Sequence, residues 1–343
     1  MEVIQVVKRF GLCGGMEEYV FRLTEELYNR GVKIIILCET QVSNINKNIE
    51  VIELGKSVQK PRWLSHLIFS HKVTKWIKQN TNDKQIIHSH ERISCHHVTT
   101  LHSNLFNHPK RGLPSIRKLI NEHLEKREVS SANLKKIVPV SSIIADEIKL
   151  KFPFAKRFLS VPIPPGVAPI KIKKKLLDTK IPTVGFMGTE WKRKGLPKVI
   201  EIWRELRKSI PGIRLCLAGF SKTETIPLNK EEMVNVEILG YIKQKEVFFQ
   251  KIDLLLHPAK KEAYGMVIAE AVSLAIPVVC SQECGASVHN PHAGNSLKYS
   301  DSLSSWTAAV KRALSLVSNL SAKSGIMIWS ETASHYKNLY QSL

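Results

Sequence analysis

Residues 253–281 read DLLLHPAKKEAYGMVIAEAVSLAIPVVCS. An apolar run, a polar segment, a second apolar segment and a valine-rich third run follow one another in this stretch. The order predicts a strand, a loop, a helix and another strand, the repeating unit of a parallel sheet. Two glutamates, Glu262 and Glu270, stand eight positions apart in it, although most of their neighbours are apolar.

The spacing of these two glutamates depends on where the helix begins. If all eight steps were helical, the glutamates would lie roughly 12 Å apart, too far for the roughly 5 to 9.5 Å carboxylate pair of a glycoside hydrolase. We expect the helix to start near Gly265, which leaves Glu262 in the loop and Glu270 inside the helix. The amides of Gly265, Met266 and Val267 then form a positive helix end that suits a phosphate.

That placement gives each carboxylate a candidate role. Glu270 is placed to accept a hydrogen bond from a ribose hydroxyl, and Glu262 to accept from hydroxyls beyond the phosphate. The alternative is structural: Glu262 is then an acid at a helix start, and Glu270 a solvated helix residue.

The same order of elements occurs in both halves of the chain. Near the N-terminus, the apolar run at 3–7 is followed by glycines, an amphipathic helix and the apolar run at 32–38; after residue 180 the pattern restarts with IPTVGFMG. Such alternation predicts an α/β fold made of two Rossmann-like doubly wound domains that face a cleft. Neither half contains G-x-G-x-x-G, which argues against a nicotinamide dehydrogenase.

A proline-rich connector, VPIPPGVAPIKIKKK at 161–175, separates the halves. The predicted bounds are a first domain at 1–165, a linker at 166–180, a second domain at 181–325, and a C-terminal helix at 326–343 that crosses back to the first domain.

A second motif, GFMGTEWKRKGL at 185–196, places two cations after a predicted strand. Arg193 offers a forked guanidinium for phosphate oxygens and Lys194 offers a point charge. The alternative is an ordinary solvated surface turn.

Composition limits the classes of protein. The 343 residues are 43% hydrophobic, enough for two real cores. Lysine and arginine number 51 against 30 acidic residues, a net charge of +21 that predicts an anionic partner. Six scattered cysteines without a CxxC pair favour a reducing cytosol, and the N-terminus lacks the order of a signal peptide. We therefore expect a cytoplasmic protein.

Three segments together resemble a known family: GGMEEYV at 14–20, FMGTEWKRKGLPKVIEIW at 186–203, and HPAKKEAYGMVIAEAVSLAIPVVCSQECGA at 257–286. In this order they resemble the family 4 glycosyltransferases of the two-domain GT-B type, and more narrowly the lipopolysaccharide core α-glucosyltransferases. The resemblance implies an acceptor-side first domain and a second domain that binds the nucleotide sugar.

The resemblance also implies roles for individual residues. Glu262 would grip the donor sugar and Glu270 the ribose, while Arg193 and Lys194 would neutralise the diphosphate. From the first domain, Gly14 and Gly15 would lie under the donor phosphates. Tyr241 and Ile242 would frame the base. The predicted catalytic residues are Glu262, His102 and Lys194, and the predicted donor-binding residues are Gly14, Gly15, Arg193, Lys194, Tyr241, Ile242, Glu262, Gly265, Met266, Val267 and Glu270.

The chemistry of these residue types suits transfer of a sugar. Cations and amides stabilise the charge that develops on a departing diphosphate. The chain has five aspartates and no Asp-x-Asp pair that would hold a metal, which favours a metal-free mechanism without cofactors. The resemblance implies retention of anomeric configuration and UDP-glucose as the co-substrate.

The stretch HSHERISCHHVTTLHSNLFNH at 88–108 is rich in histidine. As a strand it would direct His88 and His90 to one side, and its spacings match no zinc module. By its resemblance to the family, His102 would stand near the reacting sugar; the alternative is an ordinary polar loop histidine.

The segment 105–130 carries a basic rim beside an apolar stripe formed by Ile116, Leu119, Ile120 and Leu124. This combination suits a helix on an anionic membrane surface, with a solvated domain helix as the alternative. The cations predicted to touch the membrane are Lys110, Arg111, Arg117 and Lys118.

The expected partners are therefore a nucleotide sugar, a glycolipid or lipopolysaccharide core acceptor, and the cytoplasmic face of the inner membrane. Two alternatives remain: a basic nucleic-acid-binding protein without transferase activity, and a glycosyltransferase acting on another glycoconjugate. Nucleic acid is not expected, because aromatic residues are 7% of the chain and are not interleaved with the basic runs.

Overall fold

The computed structural model describes residues 1–58, 60–105, 116–170, 172, 181–221, 226–315 and 326–343. Two compact units are present. The first comprises residues 1–166 together with 327–343, and the second comprises residues 167–326. Within the predicted linker at 166–180, residues 171 and 173–180 lie outside the described residues.

The first unit is built on a parallel six-stranded sheet. Its strands are β1 (Glu2–Val6), β3 (Lys33–Cys38), β5 (Glu50–Glu53), β6 (Gln85–Ser89), β7 (Val98–Leu101) and β8 (Lys136–Pro139). They lie in the order β5-β3-β1-β6-β7-β8. A small parallel pair, β2 (Arg9–Phe10) and β4 (Thr40–Gln41), accompanies this sheet.

Helices cover the first sheet because their apolar stripes need burial. They are α1 (Gly15–Asn29), α2 (Arg62–Asn80), α3 (Ile116–Val129), α4 (Ser142–Lys151) and α10 (Trp329–Gln341). In α1, Tyr19, Leu23 and Leu27 recur at the spacing of one helical face and are almost completely buried. Helix α10, which follows the second unit in the chain, packs against α1.

The second unit repeats the plan. Its strands are β9 (Thr183–Met187), β10 (Arg214–Ala218), β11 (Val236–Gly240), β12 (Leu254–His257), β13 (Val278–Ser281) and β14 (Ser296–Leu297), in the order β11-β10-β9-β12-β13-β14. Its helices are α5 (Leu196–Arg207), α6 (Lys230–Met233), α7 (Lys245–Phe249), α8 (Met266–Ser273) and α9 (Leu303–Ser315). Trp203, Trp306 and Phe186 are fully buried at the centre of its core.

Both sheets have the strand order 3-2-1-4-5-6 of a doubly wound fold, so two parallel-sheet α/β domains are confirmed. In such a sheet the order of strand addition reverses between the first and fourth strands, and ligands bind beyond the carboxyl ends of those strands. In the second unit, the loops after β9 and β12 occupy that position. Arg193 and Lys194 lie in the first of these loops, and Glu262 lies in the second, as predicted.

The predicted apolar stripe on α3 is not buried as a unit. Ile116 is 77% exposed and Leu119 48% exposed, whereas Leu124 is fully buried. The helix is anchored instead by polar side chains: Arg92 donates hydrogen bonds to Asn121 (3.0 Å) and Glu125 (3.2 Å).

Two of the predicted membrane cations, Lys110 and Arg111, lie outside the described residues. Among the helices in the described part of the chain, none is both long enough and apolar enough to cross a bilayer.

Candidate donor site in the second unit and histidine cluster in the first

The loop after β9 brings Arg193 and Lys194 to the start of α5. Gly195, the N-cap of α5, has a φ of +91°, and a Cβ there would stand 1.9 Å from the carbonyl oxygen of Pro258. Only glycine therefore allows this loop to lie against the loop after β12. The contact is closed by the amide of Lys260, which donates to the carbonyl of Arg193 at 3.1 Å.

The loop after β12 holds Glu262 by its backbone. Its amide donates to the carbonyl of Glu283 (3.0 Å), and its own carbonyl accepts from the amide of Gly285 (3.2 Å). Gly265 follows with a φ of +95° and caps α8, which begins at Met266. The predicted helix start is therefore confirmed, and the amides of Gly265, Met266 and Val267 lie at the amino end of α8.

Arg193, Lys194 and Glu262 form one charged cluster. Nη1 of Arg193 donates to Oε2 of Glu262 at 3.0 Å, and Nζ of Lys194 lies 3.7 Å from the same oxygen. Nε of Arg193 also donates to Glu190 at 2.5 Å. Burial would lower the pKa of Arg193, but the carboxylates of Glu262 and Glu190 outweigh it and raise the pKa.

The cluster is open to solvent on one side. The Glu262 side chain is 14% exposed, that of Lys194 20% and that of Arg193 41%. The two cations thus converge on one carboxylate while Arg193 remains accessible, an arrangement suited to an anionic ligand.

Glu270 does not join this cluster. It is 4% exposed on α8, and its Oε1 accepts from Nζ of Lys245 at 2.6 Å. It is therefore not the solvated helix residue of the structural alternative. Lys245, which begins α7, was not predicted, because no local pattern links it to a residue 25 positions away. Tyr241 and Ile242 follow β11, and Tyr241 is 67% exposed.

In the first unit, Gly14 and Gly15 stand at the amino end of α1. Gly14 is the N-cap in an extended conformation, and a Cβ on it would lie 2.3 Å from a carboxylate oxygen of Glu17. Gly15 is exposed, and a Cβ on it would meet no atom within 4 Å. The space beside the Cα of Gly15 is therefore open. The contact of Gly14 and Gly15 with donor phosphates stays a prediction.

His102 follows β7 and is part of a histidine cluster in the first unit. Its Nε2 lies 2.9 Å from Nδ1 of His90, and the ring of Tyr19 packs edge-on against it with centroids 4.6 Å apart. Burial lowers the pKa of His102 to about 3. The ring is therefore neutral at physiological pH.

A buried network of hydroxyls and imidazole ties α10 to this cluster. Nδ1 of His88 lies 2.6 Å from the Tyr340 hydroxyl, and Nε2 of His88 lies 2.8 Å from that of Thr100. The Thr100 and Tyr336 hydroxyls are 2.7 Å apart, and those of Tyr336 and Tyr19 are 2.9 Å apart. His88 and His90 lie on the same side, as predicted.

A cavity elsewhere in the second unit contains none of the predicted site residues. A cavity of about 740 Å³ lies at the amino-terminal edge of the second sheet, lined in part by Thr183, Arg214 and Val236. It is at the opposite edge from the charged cluster. Within the part of the chain that the structure describes, no group of three or more His, Cys, Asp or Glu side chains is arranged to hold a metal ion.

Two parallel-sheet α/β units, the second with two cations and a carboxylate beyond its strand ends, fit the GT-B class of glycosyltransferases, and comparison with known proteins agrees. The family model described as Glycosyltransferase Family 4 matches residues 13–169, and the model described as Glycosyl transferases group 1 matches residues 168–323. The chain belongs to these glycosyltransferases. Both models describe enzymes, which favours a transferase over the alternative of a nucleic-acid-binding protein without transferase activity.

The chain is similar in sequence to two named transferases. It is 28% identical over 157 residues to the lipopolysaccharide glucosyltransferase WaaG of Escherichia coli K12, covering 44% of this chain and 40% of WaaG. It is 22% identical over 303 residues to the phosphatidylinositol N-acetylglucosaminyltransferase gpi3 subunit of Schizosaccharomyces pombe, covering 79% of this chain and 64% of that protein. Both matches thus span less than two thirds of the relatives' own lengths.

Solved structures show the same fold. The crystal structure of WaaG superposes with a TM-score of 0.77 at 17% identity, covering 98% of this chain and 95% of that one. HepE of Anabaena, solved in complex with UDP-glucose, gives a TM-score of 0.70 at 16% identity over the whole of both chains.

Proposed function

We propose that this chain is a retaining, metal-independent hexosyltransferase that moves glucose from UDP-glucose to a lipopolysaccharide core or related glycolipid acceptor. The observation that carries the proposal is the cluster of Arg193, Lys194 and Glu262 beyond the carboxyl ends of β9 and β12. The similarity to WaaG and to HepE supports the choice of acceptor and donor.

Arg193 and Lys194 act on the leaving group. Breaking the bond between the sugar and the diphosphate builds negative charge on the departing oxygen, and fixed cations stabilise that charge as it develops. The amides at the amino end of α8 add to this field without a metal. As the diphosphate binds, its oxygens compete with Glu262 for Arg193, because Nη1 of Arg193 lies only 3.0 Å from Oε2 of Glu262.

Glu262, released from part of its ion pair, accepts hydrogen bonds from hydroxyls of the hexose. Glu270 binds the ribose with the carboxylate that Lys245 holds in place at 2.6 Å. An ammonium nearby favours the charged form of a carboxylate, and the charged form is the stronger hydrogen-bond acceptor. Tyr241, exposed at the end of β11, packs against the base together with Ile242.

His102 stands near the reacting sugar as a neutral ring. Glycosyl transfer passes through a state with positive charge on the sugar ring, and an imidazolium beside it would raise the energy of that state. The low pKa of His102, caused by burial, removes this penalty. The ring then offers a nitrogen to a sugar hydroxyl.

The acceptor reaches the enzyme at the cytoplasmic face of the inner membrane. On α3, the exposed side chains of Ile116 and Leu119 stand beside Arg117 and Lys118, and a basic surface with apolar side chains binds anionic headgroups. Exchanging Arg117→Glu and Lys118→Glu together is expected to reduce co-sedimentation with anionic liposomes. The matched control, Lys208→Glu with Lys311→Glu in the second unit, has the same net charge and keeps full binding if α3 is the contact.

A panel of sugar nucleotides tests the donor. UDP-glucose is expected to raise the melting temperature of the purified protein and to be hydrolysed slowly, with UDP-galactose and UDP-N-acetylglucosamine weaker in both respects. Both readouts are expected to survive EDTA. If no sugar nucleotide protects the protein while duplex DNA does, the proposed function is wrong.

A second candidate is favoured by the match to gpi3, a phosphatidylinositol N-acetylglucosaminyltransferase subunit, over 79% of this chain. In that case UDP-N-acetylglucosamine would be the preferred donor in the same panel, and a phosphatidylinositol would serve as acceptor where a lipopolysaccharide core fails.

A further inference from the structure

His90 is a buried histidine whose only described hydrogen bond reaches His102. It follows β6 and is 4% exposed. Its Nδ1 lies 2.9 Å from Nε2 of His102, and its Nε2 has no hydrogen-bond partner among the described residues. The one described hydrogen bond of the buried His90 ring is therefore made with His102, the histidine that is expected beside the transferred sugar.

The proton positions in this pair can be assigned from burial. Burial lowers the pKa of both rings, so both are neutral, and one must donate while the other accepts. If His102 donated, the proton of His90 would sit on Nε2, leaving a buried N–H without an acceptor. Such orphaned N–H groups are rare in folded proteins. His90 therefore donates from Nδ1, and His102 keeps its own proton on Nδ1.

We propose that His90 is a positioning residue for His102: it fixes both the orientation and the tautomer of that ring, so that His102 presents an N–H from Nδ1 to its ligand. The inference rests on the proposed function, because His102 affects transfer only in an enzyme that moves a sugar. A hydrogen bond to the second nitrogen is how proteins commonly set which nitrogen of a histidine is used in chemistry.

The rest of the cluster holds His90 in turn. Its ring packs on that of His88 with centroids 4.2 Å apart. Both nitrogens of His88 are engaged by hydroxyls, those of Tyr340 and Thr100, so His88 cannot rotate without breaking two hydrogen bonds. The ring of Tyr19 closes the other side of His102.

Two substitutions separate the hydrogen bond from the packing. His90→Phe keeps an aromatic ring in the core and removes the donor. His90→Asn is smaller, but its amide N–H occupies the position of Nδ1 and donates to His102. His96→Phe is the matched control, because His96 is equally buried in the same unit and no contact with His102 is found among the described residues.

The tautomer is measured directly, without any substrate, from the ¹⁵N ring resonances of histidine-labelled protein. In the unmodified protein and in His96→Phe, His102 is expected to be protonated on Nδ1. In His90→Phe its resonances are expected to become those of the other tautomer or of a mixture, and His90→Asn should restore them. The proposal is overturned if His90→Phe leaves the tautomer of His102 unchanged.

Transfer activity supplies the second readout. His90→Phe is expected to lower kcat by about tenfold to 100-fold, the usual cost of misplacing a reacting group, with the donor KM within about twofold; His90→Asn should recover most of the loss. If the tautomer changes and kcat does not, His90 sets the tautomer of His102 without any effect on transfer, and its proposed positioning role in the reaction is overturned. If His102→Phe also retains full activity, the failure lies in the proposed role of His102 and not in the pairing.

Discussion

The two units have the same strand order, but the same edge of the sheet carries charged side chains in the second unit and neutral histidine rings in the first. In the second unit, the loop after the fourth strand carries Glu262, which pairs with two partly exposed cations. In the first unit, the loop after the fourth strand carries His90, which is buried and pairs with another neutral ring. The topology thus decides where a site lies, while the residues placed there decide its chemistry.

The largest effect should come from removing the cations of the second unit. Arg193→Ala combined with Lys194→Ala is expected to lower kcat about 1000-fold, because each removes a group that stabilises charge in the transition state. The measurement is steady-state transfer from UDP-glucose. Lys192→Ala is the control: this lysine lies over the ring of Trp191 and should change kcat less than about threefold. Equal losses in both variants would contradict the assignment.

Glu262→Ala tests the carboxylate of the same cluster. We expect kcat/KM to fall about 100-fold while the fold stays intact, because the loop is held by the backbone hydrogen bonds of residue 262 to Glu283 and Gly285. Glu190→Ala is the matched control, since Glu190 also accepts from Arg193 but its side chain is 65% exposed. If Glu190→Ala costs as much as Glu262→Ala, the role of Glu262 is no more than neutralising Arg193.

Lys245→Met sharpens the assignment of Glu270. Without the ammonium, the buried carboxylate of Glu270 loses its ion pair, and we expect the donor KM to rise about tenfold, equivalent to about 1.4 kcal/mol, with little change in kcat. The matched control is Lys251→Met, which breaks the more exposed pair with Glu237. A donor KM that stays constant in Lys245→Met would show that this pair serves only the fold.

An effect of the same size is expected in the pH dependence of stability of the first unit. Burial lowers the pKa of His96 to about 3, whereas an unfolded histidine titrates near 6.5. Because the unfolded chain binds more protons in this range, stability falls as the pH decreases from about 6.5 towards 3. For His96→Phe, we expect the loss in unfolding free energy between pH 7.5 and 5.5 to be about 1.4 kcal/mol smaller. Urea titrations at the two pH values measure it, and a loss equal to that of the unmodified protein would refute it.

Other groups act in the same range. The first unit has six described histidines whose pKa is lowered, chiefly by burial: His66, His88, His90, His96, His97 and His102. Burial raises the pKa of Glu91 to about 7 and that of Glu128 to about 8. The contribution of these two acids is lost as the pH rises from about 4.5 through those values, so they oppose the histidines.

Local signals in the sequence were enough to predict the alternation of strands and helices and the start of α8 at Met266. Both depend on short-range features: apolar periodicity, and a glycine that takes a positive φ. The pairing of His90 with His102 was not predictable, since it depends on the register that sets Ser89 of β6 beside Thr99 of β7. Alternation along one strand was enough to predict that His88 and His90 lie on the same side, but it could not predict which residues of the neighbouring strand they contact.

Helix α3 shows what hydrophobic spacing alone leaves out. Its stripe of Ile116, Leu119, Ile120 and Leu124 predicts one apolar face, yet the buried face includes Glu128, whose carboxylate accepts from Thr99 at 2.7 Å. The partners of these polar helix residues lie on strands distant in sequence. Hydrophobic periodicity alone therefore assigns a residue such as Glu128 to the solvent-facing side of the helix.

The first unit is interrupted in sequence, with α10 supplied after residues 167–326. During translation, the second unit has all of its strands available before α10 leaves the ribosome. Domains generally fold as units in the order in which they emerge. Tyr336 and Tyr340 therefore emerge after the second unit, which can fold before His88 gains its contact with the Tyr340 hydroxyl.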